Sequence, residues 1–532
     1  MNKQYAQNLT IQSLIESIPS IPSDITSEQR ATFIYSLLDP VHHALTILLK
    51  DELQLFASVY ASWTFLIQKY PQFSSAKKIY GQLKSLIKHH TYDDETLNLA
   101  IKYVTTILHI LQGNIVQSVA NMYRDEEYKH IYQENQLAFF RGIILSIENT
   151  SHHNERTITE LVCENNDGHI ITIALFDSLA TQSLHFWIGA TIHLFSLHKN
   201  HQKDHYYYSG SQTLMVLEPD ILVSATEIAE CVQQNAPKGI VAVYFLKKFL
   251  KKSSSKAMLS GTIIGNWLDE LLAKSAPDSI STIYYKSIQY KPLQTIYIIN
   301  NEQESQDLLK EIEDLSEIMQ EQKQLISADF ITTEAAFLSP AFGLNGRLDI
   351  LLEYQNDPLH KTIVELKSGR TPSVEHSVMY DNHFVIKTGA WPNHTAQVAC
   401  YNLLLDAAFP GRSGDSRLLY AKASNFPLRN VPNIFPAKRD VLSIRNSIIA
   451  IEHAIMQRRF QVFEHLFHVT TIDSLPSFMQ VEAGVLSKQY FSLQKIETLY
   501  VLALISFVMR EHFVARTGTH ARKGFSSLWH EQ

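Results

Sequence analysis

The sequence is poor in cysteine and lacks a nucleotide-binding loop. Among 532 residues only Cys163, Cys231 and Cys400 are cysteines, and their spacing is not typical of disulfide bridges. So few cysteines in a long chain indicate a reducing compartment, and we expect a cytoplasmic protein. The pattern GxxxxGK[ST] is absent from the whole sequence, which excludes a recognisable P-loop ATPase.

Long apolar runs are also missing from the sequence. The longest, at 499–509, is too short to cross a bilayer, so it predicts a buried helix. The N-terminal residues MNKQYAQ lack the basic and apolar segments of a signal peptide, and we expect no membrane partner. The formal net charge of -7 argues against a protein that coats DNA, but a local groove can be basic in an acidic protein.

Residue patterns divide the chain into four regions, which together are long enough for several hydrophobic cores. Thr26 and Gln29 have the spacing of a capping box at the start of a helix in the first region. The third region alternates strand and helix patterns, so we assign the chain to the α/β class. The predicted regions are a helical N-terminal region at 1–135, an OB-like β-barrel at 136–226, an α/β domain at 227–470 and a helical C-terminal region at 471–532.

The most informative segment is a predicted β-hairpin in the α/β domain. Residues 346–354 read GRLDILLEY and residues 362–369 read TIVELKSG, with a polar turn between them. Because side chains alternate across a strand, Glu365 and Lys367 share one face of the hairpin, and Val364 and Leu366 share the other. Only the face of Val364 and Leu366 has the composition of a hydrophobic core.

Two carboxylates and a lysine on adjacent strands suit phosphodiester hydrolysis. Asp349 and Glu365 offer hard oxygen ligands for Mg²⁺ or Mn²⁺, which polarises a phosphate and lowers the pKa of a bound water. Lys367 can orient that water or offset the negative charge that develops during the reaction. The alternative is a solvated hairpin on which an exposed glutamate and an exposed lysine form a surface pair.

A helix pattern downstream places Gln397 and Tyr401 four residues apart, and therefore on one helical face. With Asp349, Glu365 and Lys367, these residues follow the order G-x-x-D, E-x-K and Q-x-x-x-Y. The stretch resembles the RecB-like branch of the PD-(D/E)XK nuclease superfamily and, more narrowly, the nuclease region of the Okazaki-flap-processing replication helicase-nuclease family. The resemblance implies a restriction-endonuclease-like core, Asp349 and Glu365 as metal ligands, Lys367 as the catalytic lysine, and Gln397 and Tyr401 as positioning residues of the active site.

The resemblance covers roughly residues 225–470. Within it, 417–420 is predicted to be a strand, and the residues Ile444, Arg445 and Asn446 are predicted to open a long helix. Members of the family also carry a small barrel ahead of the nuclease motifs, in agreement with five short β-patterned segments here. These segments lie at 139–147, 157–163, 169–176, 191–197 and 213–217.

Three adjacent tyrosines in the barrel region have two interpretations. Tyr206, Tyr207 and Tyr208 could stack on the bases of single-stranded DNA. Alternation along a strand would instead bury Tyr207 or its two neighbours.

The sequence departs from the family pattern at two places. Family members usually place a metal-binding histidine on a helix upstream, but the corresponding residues 261–269, GTIIGNWLD, contain none. Asn266 or Asp269 could replace it as an oxygen donor, and we expect a weaker metal site or an altered metal preference. Many relatives also hold an iron-sulfur cluster on four cysteines, whereas this chain has three, so we predict no iron-sulfur cluster.

The sequence therefore predicts an Mg²⁺- or Mn²⁺-dependent nuclease that cuts single-stranded or flap DNA in replication or repair. Arg347, Arg370 and Lys387 are the predicted DNA contacts. Because the chain lacks an ATPase, and because 524–529 resembles the segment that precedes the helicase in relatives, a separate helicase is the expected partner. Two alternatives stay open, namely a nucleic-acid-binding module with weakened catalysis and a scaffold that recruits a helicase.

Overall fold

A computed structural model describes most of the chain in two compact units. One unit comprises 1–213 with 510–532, and the other comprises 214–509. The described residues are 3–21, 26–50, 59–88, 92–113, 136–153, 156–165, 167–233, 239–250, 255–273, 277–290, 292–299, 301–323, 326, 328–380, 384–423 and 425–517. The predicted residues of the join at 524–529 lie outside this set.

The first unit begins with helices, as the sequence predicts. They are α1 (Lys3–Glu16), α2 (Ser27–Ser36), α3 (Leu38–Leu48), α4 (Val59–Lys69), α5 (Ser74–Lys88) and α6 (Asp94–Leu111), with a 3₁₀ turn at Pro71–Phe73. The predicted capping box is confirmed, because the Thr26 side chain accepts from the Gln29 amide while the Gln29 side chain accepts from the Thr26 amide. Trp63, Leu66 and Tyr80 are fully or almost fully buried in the core between these helices.

A closed five-stranded barrel follows in the same unit, so the predicted barrel architecture is confirmed. Its strands are β1 (Gln136–His153), β2 (Arg156–Asn165), β3 (Ile170–Phe176), β4 (Thr191–Lys199) and β5 (Tyr206–Leu217), with helix α7 (Asp177–Ser183) after β3. Around the barrel the strands follow the order β1-β2-β3-β5-β4. The pair β3 and β5 is parallel, whereas β1 with β2, β1 with β4, and β2 with β3 are antiparallel.

The three tyrosines at the start of β5 alternate as strand residues do. Tyr207 is 4% exposed and belongs to the core. Tyr206 donates a hydrogen bond from its hydroxyl to Glu160 at 2.5 Å, and its ring is partly covered. Tyr208 is 36% exposed, and its ring stacks on His198 with centroids 5.3 Å apart. The burial of Tyr207 leaves Tyr208 as the most exposed ring of the three.

The second unit is built on a mixed sheet. Its strands are β6 (Val223–Ser224), β7 (Phe330–Ser339), β8 (Leu344–Tyr354), β9 (Asp357–Lys367), β12 (Ser416–Tyr420) and β13 (Leu428–Asn430), and a separate hairpin is formed by β10 (Ser377–Tyr380) and β11 (Phe384–Lys387). The order is β13-β12-β9-β8-β6, with β7 also paired to β8. The predicted β8–β9 hairpin is antiparallel, and β12 runs parallel to β9.

Helices pack against this sheet and against one another. Those before β7 are α8 (Ala225–Cys231), α9 (Ala242–Leu246), α10 (Lys256–Ala273), α11 (Ile280–Tyr290), α12 (Pro292–Ile298) and α13 (Glu302–Gln322), and those after β11 are α14 (Pro392–Ala408), α15 (Phe435–Met456), α16 (Phe460–Phe467), α17 (Val469–Ser474), α18 (Ser477–Ser492) and α19 (Lys495–Thr517). Ile350 and Val364 pack in one core with residues of α10 and α13. Mixed α/β structure with helical ends is thus confirmed, whereas the restriction-endonuclease-like core and the four region boundaries stay predictions.

The prediction that Ile444, Arg445 and Asn446 open a long helix is wrong. They lie in the middle of α15, which begins at Phe435 with a proline in its first turn. Arg445 is fully buried. Its buried guanidinium is satisfied by hydrogen bonds to the backbone carbonyls of Glu218 and Ile221, each at 2.6 Å. These partners are far from Arg445 in sequence. The residue pattern around Arg445 therefore does not show why polar residues lie in the middle of α15.

The apolar run at 499–509 is also not the fully buried helix that was predicted. It belongs to the 23-residue helix α19, on which Tyr500 is 66% exposed and Phe507 is 58% exposed. Residues Lys495–Arg516 are long and apolar enough to cross a membrane, and 22% of that window is buried. Core helices of soluble proteins meet the same length and composition criterion, so it does not assign α19 to a bilayer.

Candidate active site

The β8–β9 hairpin brings the two predicted carboxylates together. Ile350 pairs with Val364 and both belong to the α10 core, so Asp349 and Glu365, one residue further along each strand, alternate to the opposite face. Asp349 accepts a hydrogen bond from the Leu366 amide through Oδ2 at 2.7 Å. Glu365 is 3% exposed because α14 covers its face of the hairpin, so this face is buried although it lacks the composition of a hydrophobic core.

Lys367 is fixed beside the carboxylates by two hydrogen bonds. Its Nζ donates to Glu365 Oε1 and to Gln397 Oε1, each at 2.8 Å. The side chain is 17% exposed, so the ammonium is partly withdrawn from solvent. The alternative of a solvated surface pair does not fit this arrangement, because Glu365 is buried and a third residue orients the lysine.

Gln397 and Tyr401 complete a chain of hydrogen bonds along one face of α14. Gln397 Nε2 donates to the Tyr401 hydroxyl at 2.7 Å, and that hydroxyl donates to the backbone carbonyl of Arg347 at 2.9 Å. Helix α14 can approach β8 this closely because residue 346 is glycine, where a Cβ would lie 2.9 Å from the Tyr401 ring. The structure therefore brings together all five residues of the predicted catalytic set.

The carboxylate pair is electrostatically strained without a cation. Burial, followed by repulsion from Glu365, raises the pKa of Asp349 to about 7. Glu365 Oε2 is buried and accepts no hydrogen bond from any described residue. An orphaned oxygen beside a second carboxylate fits a hard divalent cation such as Mg²⁺ or Mn²⁺. Across the described residues, no group of three or more His, Cys, Asp or Glu side chains is arranged to hold a metal.

Of the two proposed replacements for the missing histidine, Asp269 interacts electrostatically with Asp349, whereas Asn266 is bonded to a residue of α11. The pKa of Asp269 is raised by burial, then by the charge of Glu334, with a further contribution from Asp349. Its carboxylate also accepts a hydrogen bond from the Thr333 side chain. Asn266 instead donates from Nδ2 to Ser287 Oγ at 3.1 Å, toward α11.

His394 and Tyr420 belong to the site but were not predicted from the sequence. His394 Nδ1 lies 2.9 Å from the Tyr420 hydroxyl, which also accepts from the Trp391 amide at 3.3 Å. Burial and then the charge of Lys367 lower the pKa of His394 to about 3, so its imidazole is neutral at physiological pH. The available signal was its position three residues before Gln397, which puts both on one helical face.

The predicted DNA contacts have different surroundings. Arg347 forms an ion pair with Glu334, and Lys387 forms one with Glu375. Arg370 is exposed, and its backbone carbonyl accepts from Trp391 Nε1 at 2.8 Å. Their assignment as DNA contacts stays a prediction.

The three cysteines are buried and free. Burial raises the pKa of all three thiols, to about 12 for Cys231. Iron binds the thiolate form of cysteine. Because the pKa of each thiol is raised, forming the thiolate costs additional free energy.

Comparison with known proteins gives one family match. Residues 164–328 match the family described as DNA replication factor Dna2, which confirms the resemblance to the replication nuclease family over this stretch. The match covers less than half of the chain and ends before β7, so Asp349, Glu365 and Lys367 lie outside it.

Other comparisons add little. A search of curated proteins gave no match. A crystal structure of a candidate exonuclease from Eubacterium rectale is 10% identical, covering 44% of this chain and 81% of that chain with a TM-score of 0.30. At that TM-score the likeness carries no argument about fold or function.

Proposed function

We propose, from the similarity of residues 164–328 to the Dna2 family, that the chain is a DNA nuclease whose activity depends on Mg²⁺ or Mn²⁺. The single observation that carries this proposal is the pair of a partly buried Asp349 and a buried Glu365 beside Lys367. Such a pair, with an orphaned oxygen and a raised pKa, has the donor chemistry of a cation site.

Each residue then has a defined part in phosphodiester hydrolysis. Asp349 and Glu365 would hold the cation, which would supply charge stabilisation to the phosphate and acidify a water. Hydrogen bonds to Glu365 and Gln397 hold the Lys367 ammonium beside the carboxylates. There the ammonium would orient the attacking water or offset developing negative charge. Tyr401 ties Gln397 to the backbone of β8, so the lysine keeps its geometry without further reorganisation.

Single-stranded or flap DNA is the proposed substrate. The sequence contains no P-loop ATPase that could separate a duplex, and the matched family is described as a replication factor. We extend the proposal to a replication or repair setting inside the cell with a helicase supplied by another chain. Arg370, exposed and without an ion-pair partner among the described residues, is the cation best able to contact a phosphate.

The test is cleavage of labelled single-stranded, flapped and blunt duplex DNA in Mg²⁺, Mn²⁺ or EDTA. Cleavage should require the metal and disappear in Asp349→Ala and Glu365→Ala. Asp357→Ala is the matched control, because Asp357 is an exposed carboxylate at the turn of the same hairpin. Equal activity in EDTA, or activity retained in both site variants, would overturn the proposal.

A further inference from the structure

One exposed aromatic residue lies in an unusual backbone conformation close to the candidate site. Phe426 is 74% exposed in the turn between β12 and β13, and its φ is 49°. Positive φ is rare for a bulky residue, because its Cβ approaches the backbone too closely. Neither burial nor backbone preference therefore accounts for phenylalanine at this position, and strain of this kind is concentrated at functional sites.

The turn is tied directly to the strand end that carries Lys367. The Ala421 amide donates to the Lys367 carbonyl at 2.9 Å, and the Tyr420 amide donates to the Pro427 carbonyl at 2.8 Å. Two consecutive backbone hydrogen bonds thus connect the proposed catalytic lysine to the neighbour of Phe426. The aromatic ring belongs to the loops at the carboxyl ends of parallel strands β9 and β12, the edge where open α/β sheets bind ligands.

A buried arginine holds the turn in place. Arg429 is 8% exposed, and its Nε donates to the Phe426 carbonyl at 3.1 Å. Its Nη1 donates to the carbonyl of Pro372 at 2.9 Å and to that of Gly389, while its guanidinium lies 4.9 Å from the centre of the Tyr420 ring. One guanidinium therefore fixes the backbone of Phe426 to the segments after β9 and before α14.

We infer that Phe426 is a stacking platform for an unpaired nucleobase of the strand that enters the active site. The inference rests on the proposed nuclease function and specifies how its substrate is recognised. An exposed ring on a fixed backbone can stack on any base at little entropic cost, which gives affinity without sequence preference. Bases inside a duplex are already stacked on both faces, so the same ring has no base to stack on along the interior of a duplex. Phe426 thereby provides selection for a single strand.

The test measures binding of the full chain in EDTA, where no metal-dependent cleavage occurs. The probes are a fluorescein-labelled oligothymidylate and a strand of equal length in which every base is replaced by an abasic tetrahydrofuran unit. The variants are Phe426→Gly, which removes the ring and tolerates positive φ, and Phe426→Trp, which restores a ring. Phe478→Ala is the control, because Phe478 is an 81% exposed phenylalanine on α18.

Phe426→Gly should bind oligothymidylate about tenfold more weakly, the loss expected for one stacked base, with unchanged affinity for the abasic strand. Phe426→Trp should bind oligothymidylate about as tightly as wild type does. The fluorescence of its added indole should be quenched by the thymidylate strand. The thermal midpoint of Phe426→Gly should not fall, because the substitution relieves backbone strain.

Three results would overturn the inference: wild-type binding that does not distinguish the two strands, unchanged thymidylate binding by Phe426→Gly, or equal loss for both strands. Cleavage assays distinguish failure of this inference from failure of the proposed function. If wild type cleaves DNA and Phe426→Gly binds normally, only the inference fails. If no metal supports cleavage but the base-dependent loss is observed, the base platform stands and the nuclease proposal fails.

Discussion

Replacing Asp349 with Asn removes one charge from the carboxylate pair while keeping the shape of the side chain. The Asn side-chain oxygen can still accept from the Leu366 amide, which lies 2.7 Å from Asp349 Oδ2. A folded-state pKa of about 7, against about 3.9 in the unfolded chain, corresponds to roughly 3 pH units. At about 1.4 kcal/mol per unit, ionising this carboxyl destabilises the metal-free fold by up to ~4 kcal/mol.

The pH dependence follows from the direction of the shift. Because the folded state binds the proton more tightly, the favourable contribution of Asp349 is complete below about pH 4 and is lost as pH rises to about 7. Asp349→Asn should therefore be about 2–4 kcal/mol more stable than wild type at pH 8 and nearly equal at pH 4. Saturating Mn²⁺ should stabilise wild type at pH 8 and leave the variant unchanged.

Urea unfolding in EDTA across this pH range measures the difference. Asp357→Asn serves as the control, since an exposed carboxylate in a turn has no burial to relieve. A gain in stability that does not change with pH, or a loss of stability in Asp349→Asn at pH 8, would refute the electrostatic reasoning.

Three further predictions concern the catalytic lysine, the absence of iron and the choice of substrate. Lys367→Ala should lower turnover by about 10²–10³ while changing DNA affinity much less, whereas equal losses would indicate a simple phosphate contact. Purified protein should be colourless and iron-free, and near-stoichiometric iron with visible absorbance would contradict this. Single-stranded or flap DNA should be cut faster than blunt duplex, with binding that weakens steeply as salt rises, and comparable rates on both would favour a nuclease that reads duplex geometry.

Local sequence pattern was sufficient for the parts of the site that depend on periodicity. Alternation along 362–369 predicts that Glu365 and Lys367 share a face, and the two side chains form a hydrogen bond. A spacing of four predicts that Gln397 and Tyr401 share a helical face, and they too are bonded. The closed barrel is likewise visible as five β-patterned segments.

Features that depend on distant partners were not predictable in this way. Glu365 has the residue type of a solvated strand face, but α14 covers it, and that helix begins 25 or more residues later in the chain. Arg445 lies inside α15 and not at its start, and its carbonyl partners at 217–221 and Gly343 are distant in sequence, so the local pattern could not place it. Phe426 gave no sequence signal at all, because its significance lies in exposure and in a backbone angle.

The central proposal is that Asp349 and Glu365 jointly hold a single divalent cation beside Lys367. Isothermal titration of the metal-free chain with Mn²⁺ tests it most directly. We predict one site in wild type, lost in Asp349→Ala and in Glu365→Ala and retained in Asp357→Ala and Lys367→Ala. Binding of undiminished affinity in both carboxylate variants, or no binding by wild type, would contradict the claim.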